Sequence, residues 1–210
     1  MKKTIFAVFA LLLCLVGLAK VCIPKTSSES TEYPKVNKES KLSKAQLARP
    51  YRDPKDLVSE GSWRRKSEKK SYPKIKNAKN LVIRVSLKGN RVYIIRNKKV
   101  LYTMLSTAGK YHHGKSYTPT GNFRIKNDRD NYFFNYDLNE GARNWTSWDD
   151  NNVYLFHSVP TKATGKINVT EAKKLGKTQG SHGCIRLSLP DSKWFMENIP
   201  AGTKVIIKNN

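Results

Sequence analysis

Short runs of β-branched and aromatic residues, separated by Gly, Asn and Lys, recur along the chain after residue 80. Runs of this kind predict β-strands, and Gly/Asn-containing turns between them indicate the hairpins of a meander. A Pro/Gly turn, Tyr117–Phe123, leads into a further strand. The predicted strands are Leu81–Leu87, Arg91–Arg96, Val100–Ser106, Phe123–Lys126, Val153–Phe156 and Thr203–Lys208.

Two short segments carry the start and stop signals of helices. Val169–Leu175 has an acidic residue in its first turn, basic residues in its last turn, and Gly176 directly after it. Pro190–Glu197 begins with Pro and Asp, which the start of a helix favours. Residues 79–210 are therefore predicted to form one mainly β domain with two short helices, a single core and no internal repeats.

Residues 127–152 are rich in Asn, Asp and aromatic side chains and are predicted to form a long loop. Long loops inside compact domains often serve as lids or as walls of binding sites. Packing in the core is the alternative for about half of the aromatic rings. These rings are Tyr132, Phe133, Phe134, Tyr136, Trp145 and Trp148.

The first 23 residues have the pattern of an export signal. Lys2 and Lys3 are followed by Ile5–Ala19, which is free of charge and rich in Leu, Val, Phe and Ala. Small residues before Lys20 suit cleavage of a signal peptide, whereas apolar residues after it bring the run close to the ~20 residues that span a bilayer. Residues 1–23 are thus a signal peptide or an N-terminal membrane anchor. Either one makes the chain extracytoplasmic, secreted or anchored at the outer face of the cytoplasmic membrane.

Residues 24–78 are rich in Ser, Lys, Glu, Pro and Asn and contain few large apolar residues. Such a segment cannot bury enough surface to offset the entropy lost on ordering, so a disordered basic linker is predicted. The chain has 40 Lys and Arg against 16 Asp and Glu, a formal charge of +24, which indicates an anionic partner. The basic cluster Trp63–Lys70 is interpreted either as a contact to an anionic wall polymer or membrane surface, or as a solvated linker surface. Nucleic acid is not expected, because an exported protein rarely meets it.

The candidate chemistry centres on the segment Ser181–Leu187, which contains the only cysteine after residue 22, Cys184. His182 and Arg186 flank this cysteine, and such neighbours favour the thiolate, the nucleophilic form. A small buried residue is the alternative, because free cysteines are among the most buried residues, but a core cysteine needs none of these neighbours. An unpaired thiol outside the cytoplasm is expected to be reactive.

A cysteine nucleophile needs a base and donors for the oxyanion. His157, at the end of a predicted strand, and His182, two residues from Cys184, are both candidates for the base, and the sequence does not choose between them. The backbone N–H groups around Gly183 are candidate oxyanion donors, because this residue has no side chain to block approach. Arg186 is predicted to hold a substrate carboxylate in a bidentate pair.

No metal and no other cofactor is expected, because the one cysteine after residue 22 and the scattered histidines lack the paired spacing of metal ligands. His112 and His113 lie in a Gly/Lys-rich loop and are predicted to be exposed and inert. The chain has 4 histidines, which leaves His157 and His182 for the chemistry.

His157 followed by Ser181–Arg186 (Ser-His-Gly-Cys-Ile-Arg) resembles the signature of the L,D-transpeptidase (YkuD-type) catalytic domain. The resemblance covers roughly residues 80–208 and includes the early hairpin, the Pro/Gly turn and the closing strand. It implies that residues 79–210 form a β-sandwich-like catalytic domain.

The resemblance also implies roles for individual residues. Cys184 matches the nucleophile, and His157 matches the general acid and base, oriented through the backbone carbonyl of Ser158. His182 and Gly183 match the residues that shape the surroundings of the thiol and the oxyanion hole. The residues assigned to substrate binding are Arg186, Ser158 and Ser181.

The implied reaction is acyl transfer on peptidoglycan stem peptides, with a monomer as the expected form. Cys184 attacks the carbonyl before the D-Ala at position four, D-Ala leaves, and an amine takes the acyl group from the thioester, as in a 3→3 crosslink. With water as acceptor the same site is an L,D-carboxypeptidase or a crosslink hydrolase, and a non-catalytic wall-binding protein is a second alternative. The interval between His157 and Ser181 is longer than in the compact form of the motif, and the excess, Lys162–Lys177, either lines the substrate groove or decorates it.

Overall fold

A computed structural model describes residues 42–210 of the chain. The predicted signal or anchor at residues 1–23, and the predicted linker up to residue 41, lie outside the described residues. Within the described part, no helix is both long and apolar enough to cross a membrane. The helices and strands are α1 (Lys44–Leu47), β1 (Leu81–Ser86), β2 (Arg91–Arg96), β3 (Lys99–Leu105), β4 (Tyr111–His112), β5 (Lys115–Ser116), β6 (Gly121–Arg124), β7 (Arg129–Asn135), β8 (Glu140–Ser147), β9 (Leu155–Ser158), α2 (Val169–Ala172), β10 (Ile185–Leu187), α3 (Leu189–Asn198) and β11 (Lys204–Lys208).

Most of these strands belong to two sheets. One has the order β3-β2-β1-β11-β6 and the other the order β10-β9-β8-β7, while β4 and β5 form a separate hairpin. β1 pairs in parallel with β11, and β9 pairs in parallel with β10; the other neighbours are antiparallel. The predicted mainly β fold with short helices is confirmed, and every predicted strand and helix overlaps an observed one.

One hydrophobic core joins the two sheets and α3. In the five-stranded sheet, the register partners Ile83 and Val205 are both fully buried. From the four-stranded sheet, Phe156 packs on Phe195 of α3 with 4.5 Å between the ring centroids. Ser188 caps the start of α3, where its hydroxyl accepts a backbone N–H of the first turn. The capped helix lies against β8, β9 and β10 and so holds the sheet that carries the candidate site.

Residues 127–152 form the hairpin β7–β8, with Phe134 opposite Gly141, so the predicted long loop is wrong. β7 is an edge strand, and none of its residues is fully buried. The strand therefore lacks the alternation of buried and exposed positions by which strands are predicted. The aromatic rings are divided between two environments, because Trp148 is buried in the core whereas Tyr136, at the hairpin tip, is 87% exposed.

Residues 42–78, called the strap below, fold onto the domain, so the prediction of a disordered linker is wrong for this segment. Trp63 is only 6% exposed and lies in a second hydrophobic cluster that includes Leu105 of β3. Tyr72 stacks on Trp194 of α3 with 4.9 Å between the ring centroids. A few well-placed aromatic side chains thus attach a segment whose mean composition is polar.

Polar side chains of the strap also satisfy backbone groups of β3. Ser67 Oγ accepts the Leu105 N–H at 2.8 Å, and Glu68 Oε1 accepts the Thr103 N–H at 2.5 Å. β3 is an edge strand of the five-stranded sheet, and an uncovered edge is a template for pairing with another chain. The strap closes this edge with side chains.

An ionic cluster with two buried arginines and two partly exposed carboxylates fixes the first part of the strap to β2. Arg91 of β2 pairs with Asp53 at 2.8 Å and with Glu60 at 3.0 Å. Arg49 pairs with the same two carboxylates at 2.6 and 2.8 Å. Because Arg91 is almost fully buried, loss of its partners would leave an uncompensated charge in the interior.

We expect Trp63→Ala to lower the free energy of unfolding by about 3–5 kcal/mol, the usual cost of removing a buried aromatic side chain. Arg65→Ala, at an exposed position of the same segment, is the matched control and should change it by less than about 0.5 kcal/mol. Urea-induced unfolding of both variants and of the wild type measures the difference. Equal, small losses in the two variants would mean that the strap does not pack on the domain.

Candidate active site

A pair of parallel strands brings Cys184 and His157 to one place. β10 starts directly after Cys184 and pairs with β9, which contains His157, so that Arg186 is the register partner of His157. Side chains at register positions of neighbouring strands share a face of the sheet, as do residues two apart on one strand. Cys184 and His157 accordingly line the same groove, which has a volume of about 390 Å³.

The walls of this groove come from three parts of the chain. The β7–β8 hairpin forms one wall, the segment that leads into β9 forms a second, and the turn before β10 forms a third. Phe133 of the hairpin contacts the imidazole of His157 edge-on, with 5.4 Å between the ring centroids. The aromatic segment thus lines a groove, as a hairpin and not as a loop. The lining residues are Phe133, Phe134, Asn135, Leu138, Glu140, Asn152, Val153, Leu155, His157, Ser181, His182 and Cys184.

The imidazole of His157 is buried and held in one orientation. Its Nδ1 lies 2.6 Å from the backbone carbonyl oxygen of Ser158, which can only accept, so Nδ1 carries the proton. This leaves Nε2 as the basic nitrogen. Burial, together with the positive charge of Arg186, lowers the pKa of His157 to about 3, against the opposing effect of the Ser158 carbonyl. The ring is therefore neutral at physiological pH.

The thiol of Cys184 is also neutral at rest. Burial raises its pKa to about 11, with smaller opposing effects from the Leu155 backbone and Arg186. Arg186 favours the thiolate, as the sequence suggested, but the burial of the sulfur outweighs this effect and the net pKa is raised. The sulfur lies 3.6 Å from the carbonyl oxygen of Val153, to which the S–H donates.

The turn that carries Cys184 is fixed by its own hydrogen bonds. Ser181 Oγ donates to the Cys184 carbonyl at 2.5 Å and accepts the Gly183 N–H at 3.1 Å. The Gly183 carbonyl accepts from Thr118 Oγ1 at 2.7 Å. Gly183 has φ +142°, and a Cβ there would lie 2.6 Å from the ring of Tyr154, so only glycine fits.

These contacts narrow the choice of oxyanion donors. The Gly183 N–H is already used by Ser181. The N–H groups of His182 and Cys184 have no partner among the hydrogen bonds of residues 42–210. They are therefore the candidate donors in this turn.

The two serines assigned to substrate binding both have hydrogen bonds within the protein. Ser181 is buried and closes the turn around Cys184. Ser158 is fully buried, where its hydroxyl donates to the Val159 carbonyl and accepts the Arg143 N–H. Its carbonyl orients His157, which is the contact expected from the resemblance. Both residues position the reactive groups through these contacts, and their assignment to substrate binding stays a prediction.

Arg186 does not have the free guanidinium that the sequence suggested. It is 1% exposed, and its Nη2 pairs with both carboxylate oxygens of Glu140 at 2.7 and 2.8 Å. Its Nη1 pairs with Glu171 at 2.8 Å. The prediction that Arg186 grips a substrate carboxylate is therefore corrected. Its partners lie 46 and 15 residues away in sequence, and neither could be inferred from the motif.

The remaining histidines differ in their relation to the groove. The exposed side chain of His182 lines the groove. His112 and His113 are exposed on the β4–β5 hairpin, with 4.1 Å between their rings. Within residues 42–210, no three His, Cys, Asp or Glu side chains are grouped so as to hold a metal ion.

Several groove residues could not be identified from the sequence. Phe133 and Glu140 lie within the aromatic segment, but nothing in its pattern shows which rings or carboxylates face the thiol. Val153 is predicted as a strand residue, whereas the structure places it before β9, at the groove. Thr118 belongs to the Pro/Gly turn that the resemblance includes, and this is the only signal for its contact with the nucleophile turn.

A thiol and a carbonyl-oriented imidazole in one groove, with unpaired N–H groups in the thiol's own turn, define an enzyme of the cysteine acyl-transfer class. The family model described as "YkuD: L,D-transpeptidase catalytic domain" matches residues 80–207. Over 136 residues the chain is 44% identical to "Putative L,D-transpeptidase YciB" of Bacillus subtilis (strain 168), an alignment that covers 65% of this chain and 69% of the relative. The chain belongs to the YkuD family of L,D-transpeptidase catalytic domains, which are cysteine transpeptidases that act on peptidoglycan.

A solved structure shares the fold. The structure described as L,D-transpeptidase LdtMt1 in complex with imipenem is 19% identical, has a TM-score of 0.50, and is matched over 61% of this chain and 59% of that chain. The L,D-transpeptidase from Mycobacterium smegmatis is 16% identical, has a TM-score of 0.49, and is matched over 61% of this chain and 58% of that chain. The match thus spans about three-fifths of the length of these two proteins.

Proposed function

We propose that this protein is a peptidoglycan L,D-transpeptidase in which Cys184 cleaves the stem peptide before the D-Ala at position four and passes the acyl group to an amine. The observation that carries the proposal is the His157 Nδ1–Ser158 carbonyl hydrogen bond, because it leaves a basic Nε2 on a ring that lines the groove of the thiol. The family match supplies the substrate class. The acyl donor enters the groove between the hairpin wall and the nucleophile turn.

In the first half-reaction, Cys184 Sγ bonds to the scissile carbonyl carbon while His157 Nε2 takes the thiol proton. Transfer of the proton accompanies formation of the S–C bond. A separate imidazolium–thiolate pair is unfavourable, because the base has a pKa of about 3 and the thiol a pKa of about 11. The N–H groups of His182 and Cys184 hold the oxyanion. The C–N bond then breaks, the imidazolium gives its proton to the leaving amine of D-Ala, and a thioester remains.

In the second half-reaction, an acceptor amine attacks the thioester carbonyl. His157 Nε2 takes a proton from the attacking amine and returns it to the sulfur as the C–S bond breaks. A stem-peptide amine as acceptor gives a 3→3 crosslink. Water in its place gives carboxypeptidase or crosslink-hydrolase activity from the same residues.

The proposal includes where the protein works. The pattern of residues 1–23 supports an extracytoplasmic location, secreted to the wall or anchored at the membrane. The charge of +24 supports contact with anionic wall polymers or with the membrane surface. The proposed form of the protein is a monomer.

Acylation of the thiol tests the assignment, with imipenem, the ligand named with the related LdtMt1 structure, as the probe. We expect the intact mass of the full chain to increase by one imipenem in the wild type and to stay unchanged in Cys184→Ala. Incubation with purified muropeptides then separates the acceptors, since an amine acceptor gives crosslinked dimers and water gives tripeptides. A folded Cys184→Ala variant that still forms product would overturn the catalytic assignment. Wall binding by both variants without turnover in either would favour a non-catalytic binding protein.

A further inference from the structure

The guanidinium of Arg186 connects three separate elements of the domain. It projects from β10 and pairs with Glu140, the first residue of β8, and with Glu171, in α2 of the Lys162–Lys177 insertion. Glu171 also pairs with Lys174 at 2.5 Å. The insertion contributes no residue to the lining of the groove. It is attached to the nucleophile strand through this carboxylate.

The position of this cluster relates it to the reactive pair. Arg186 is the register partner of His157 and lies two residues after Cys184. Glu140 is 22% exposed as a side chain and lines the groove that contains both reactive groups. A shift of the guanidinium would therefore displace the thiol, the imidazole and the hairpin wall together.

Resting on the proposed function, we propose that Glu140 and Glu171 are positioning residues: they clamp Arg186 from two sides and thereby fix the hairpin wall and the insertion against the strand of the nucleophile. Neither carboxylate touches the reacting atoms. The longer interval between His157 and Ser181 then has a defined role, since it delivers Glu171 to Arg186.

The charges around Cys184 make the clamp measurable. Arg186 lowers the pKa of the thiol, and Glu140 raises it. Removing the charge of Glu140 should therefore lower the thiol pKa, whereas removing that of Arg186 should raise it. A general loosening of the site would move both variants in the same direction. The charged and titratable groups that face the thiol, one from each surrounding element, are His157 (β9), Glu140 (β8), Asp149 (the segment before β9), His182 (the nucleophile turn) and Arg186 (β10).

Alkylation of the full chain by iodoacetamide, followed by intact mass as a function of pH, measures the thiol directly. We expect the alkylation midpoint of Glu140→Gln to lie below that of the wild type by about 0.5–1 pH unit and that of Arg186→Gln to lie above it. Imipenem acylation of Glu140→Gln and Glu171→Gln should be about tenfold slower, in Glu140→Gln despite a more acidic thiol, because the groove wall is no longer held. Glu197→Gln, at an exposed pair on α3, is the matched control and should behave as the wild type.

Two results would overturn the clamp: alkylation midpoints and acylation rates of Glu140→Gln and Glu171→Gln equal to those of Glu197→Gln, or shifts of equal sign in the Glu140 and Arg186 variants. If Arg186→Gln does not fold, the two glutamate variants decide alone, and a midpoint for Glu140→Gln at or above the wild-type value counts against the clamp. Alkylation does not need transpeptidase activity. A wild type that alkylates normally but never reacts with imipenem would refute the proposed function while leaving the clamp testable.

Discussion

At neutral pH, His157→Gln is expected to react with imipenem about 10²–10⁴-fold more slowly than the wild type, the usual loss when a general base is removed. The loss is large because the thiol is protonated at rest. With a pKa of about 11 for Cys184, only about one molecule in 10⁴ carries the thiolate at pH 7. Glutamine cannot take the proton, so this small fraction becomes the only reactive species.

The pH dependence gives this prediction a second signature. The imidazole of His157 becomes protonated only as the pH falls toward about 3, and the thiol ionises only as the pH rises toward about 11. The wild-type acylation rate should therefore be nearly level across the neutral range. In His157→Gln the rate should rise about tenfold for each pH unit until the thiol is ionised. Stopped-flow measurement of imipenem acylation between pH 5 and pH 10 tests both profiles.

His182→Gln is the matched control, because His182 lines the same groove and is the other candidate base. We expect a rate within about tenfold of the wild type and a level profile, since only the backbone N–H of His182 is used. The assignment would be reversed if His182→Gln lost most of the rate and gained the steep alkaline rise while His157→Gln did neither.

The second large effect is expected for Gly183→Ala, which should lower imipenem acylation by at least about 10²-fold. A new Cβ would lie 2.6 Å from the Tyr154 ring and 3.1 Å from the Tyr117 carbonyl oxygen. The chain at this point also has φ +142°, where residues other than glycine are strained by about 1–3 kcal/mol. The clash and the backbone strain are both relieved only if the turn moves, and Cys184 moves with it.

Gly165→Ala separates these two causes. Gly165 has φ +73°, and a Cβ at this residue would have no neighbouring atom within 4 Å, so the substitution adds backbone strain without a clash. We expect Gly165→Ala to be destabilised by about 1–3 kcal/mol with the acylation rate unchanged. Urea unfolding and acylation rates of both variants are compared. Retention of full activity in Gly183→Ala would show that the turn does not have to keep its observed shape for catalysis.

Sequence patterns are sufficient to predict a strand where buried apolar residues recur at alternate positions. β1 and β11 pair at the centre of one sheet and carry apolar residues at regular positions, so their strands are predicted within a residue or two. β7 is missed because an edge strand with no fully buried residue has no such alternation. The strap is missed because a few aromatic rings and side-chain hydrogen bonds attach it to the domain. The average composition of a segment does not reveal such individual contacts.

The candidate site shows a similar division. Cys184 and His157 can be found, because their residue types and motif are unusual. The contacts of Arg186 cannot, because both of its carboxylate partners come from distant parts of the chain. The net pKa of the thiol could not be inferred from its sequence neighbours, because the burial that outweighs Arg186 depends on the whole groove. The sequence thus identifies the reactive residues, whereas their pKa values depend on the tertiary structure.

The strap also extends the segment of the chain that is needed for a complete catalytic domain. The family match begins at residue 80, after the strap, but the acceptors that Ser67 and Glu68 offer to β3 lie before it. A fusion protein that contained only the matched region would expose the edge strand β3. An exposed edge strand can pair with the same strand of a second copy. In relatives, we expect the segment upstream of the catalytic domain to be the place to look for a similar cover of this edge strand.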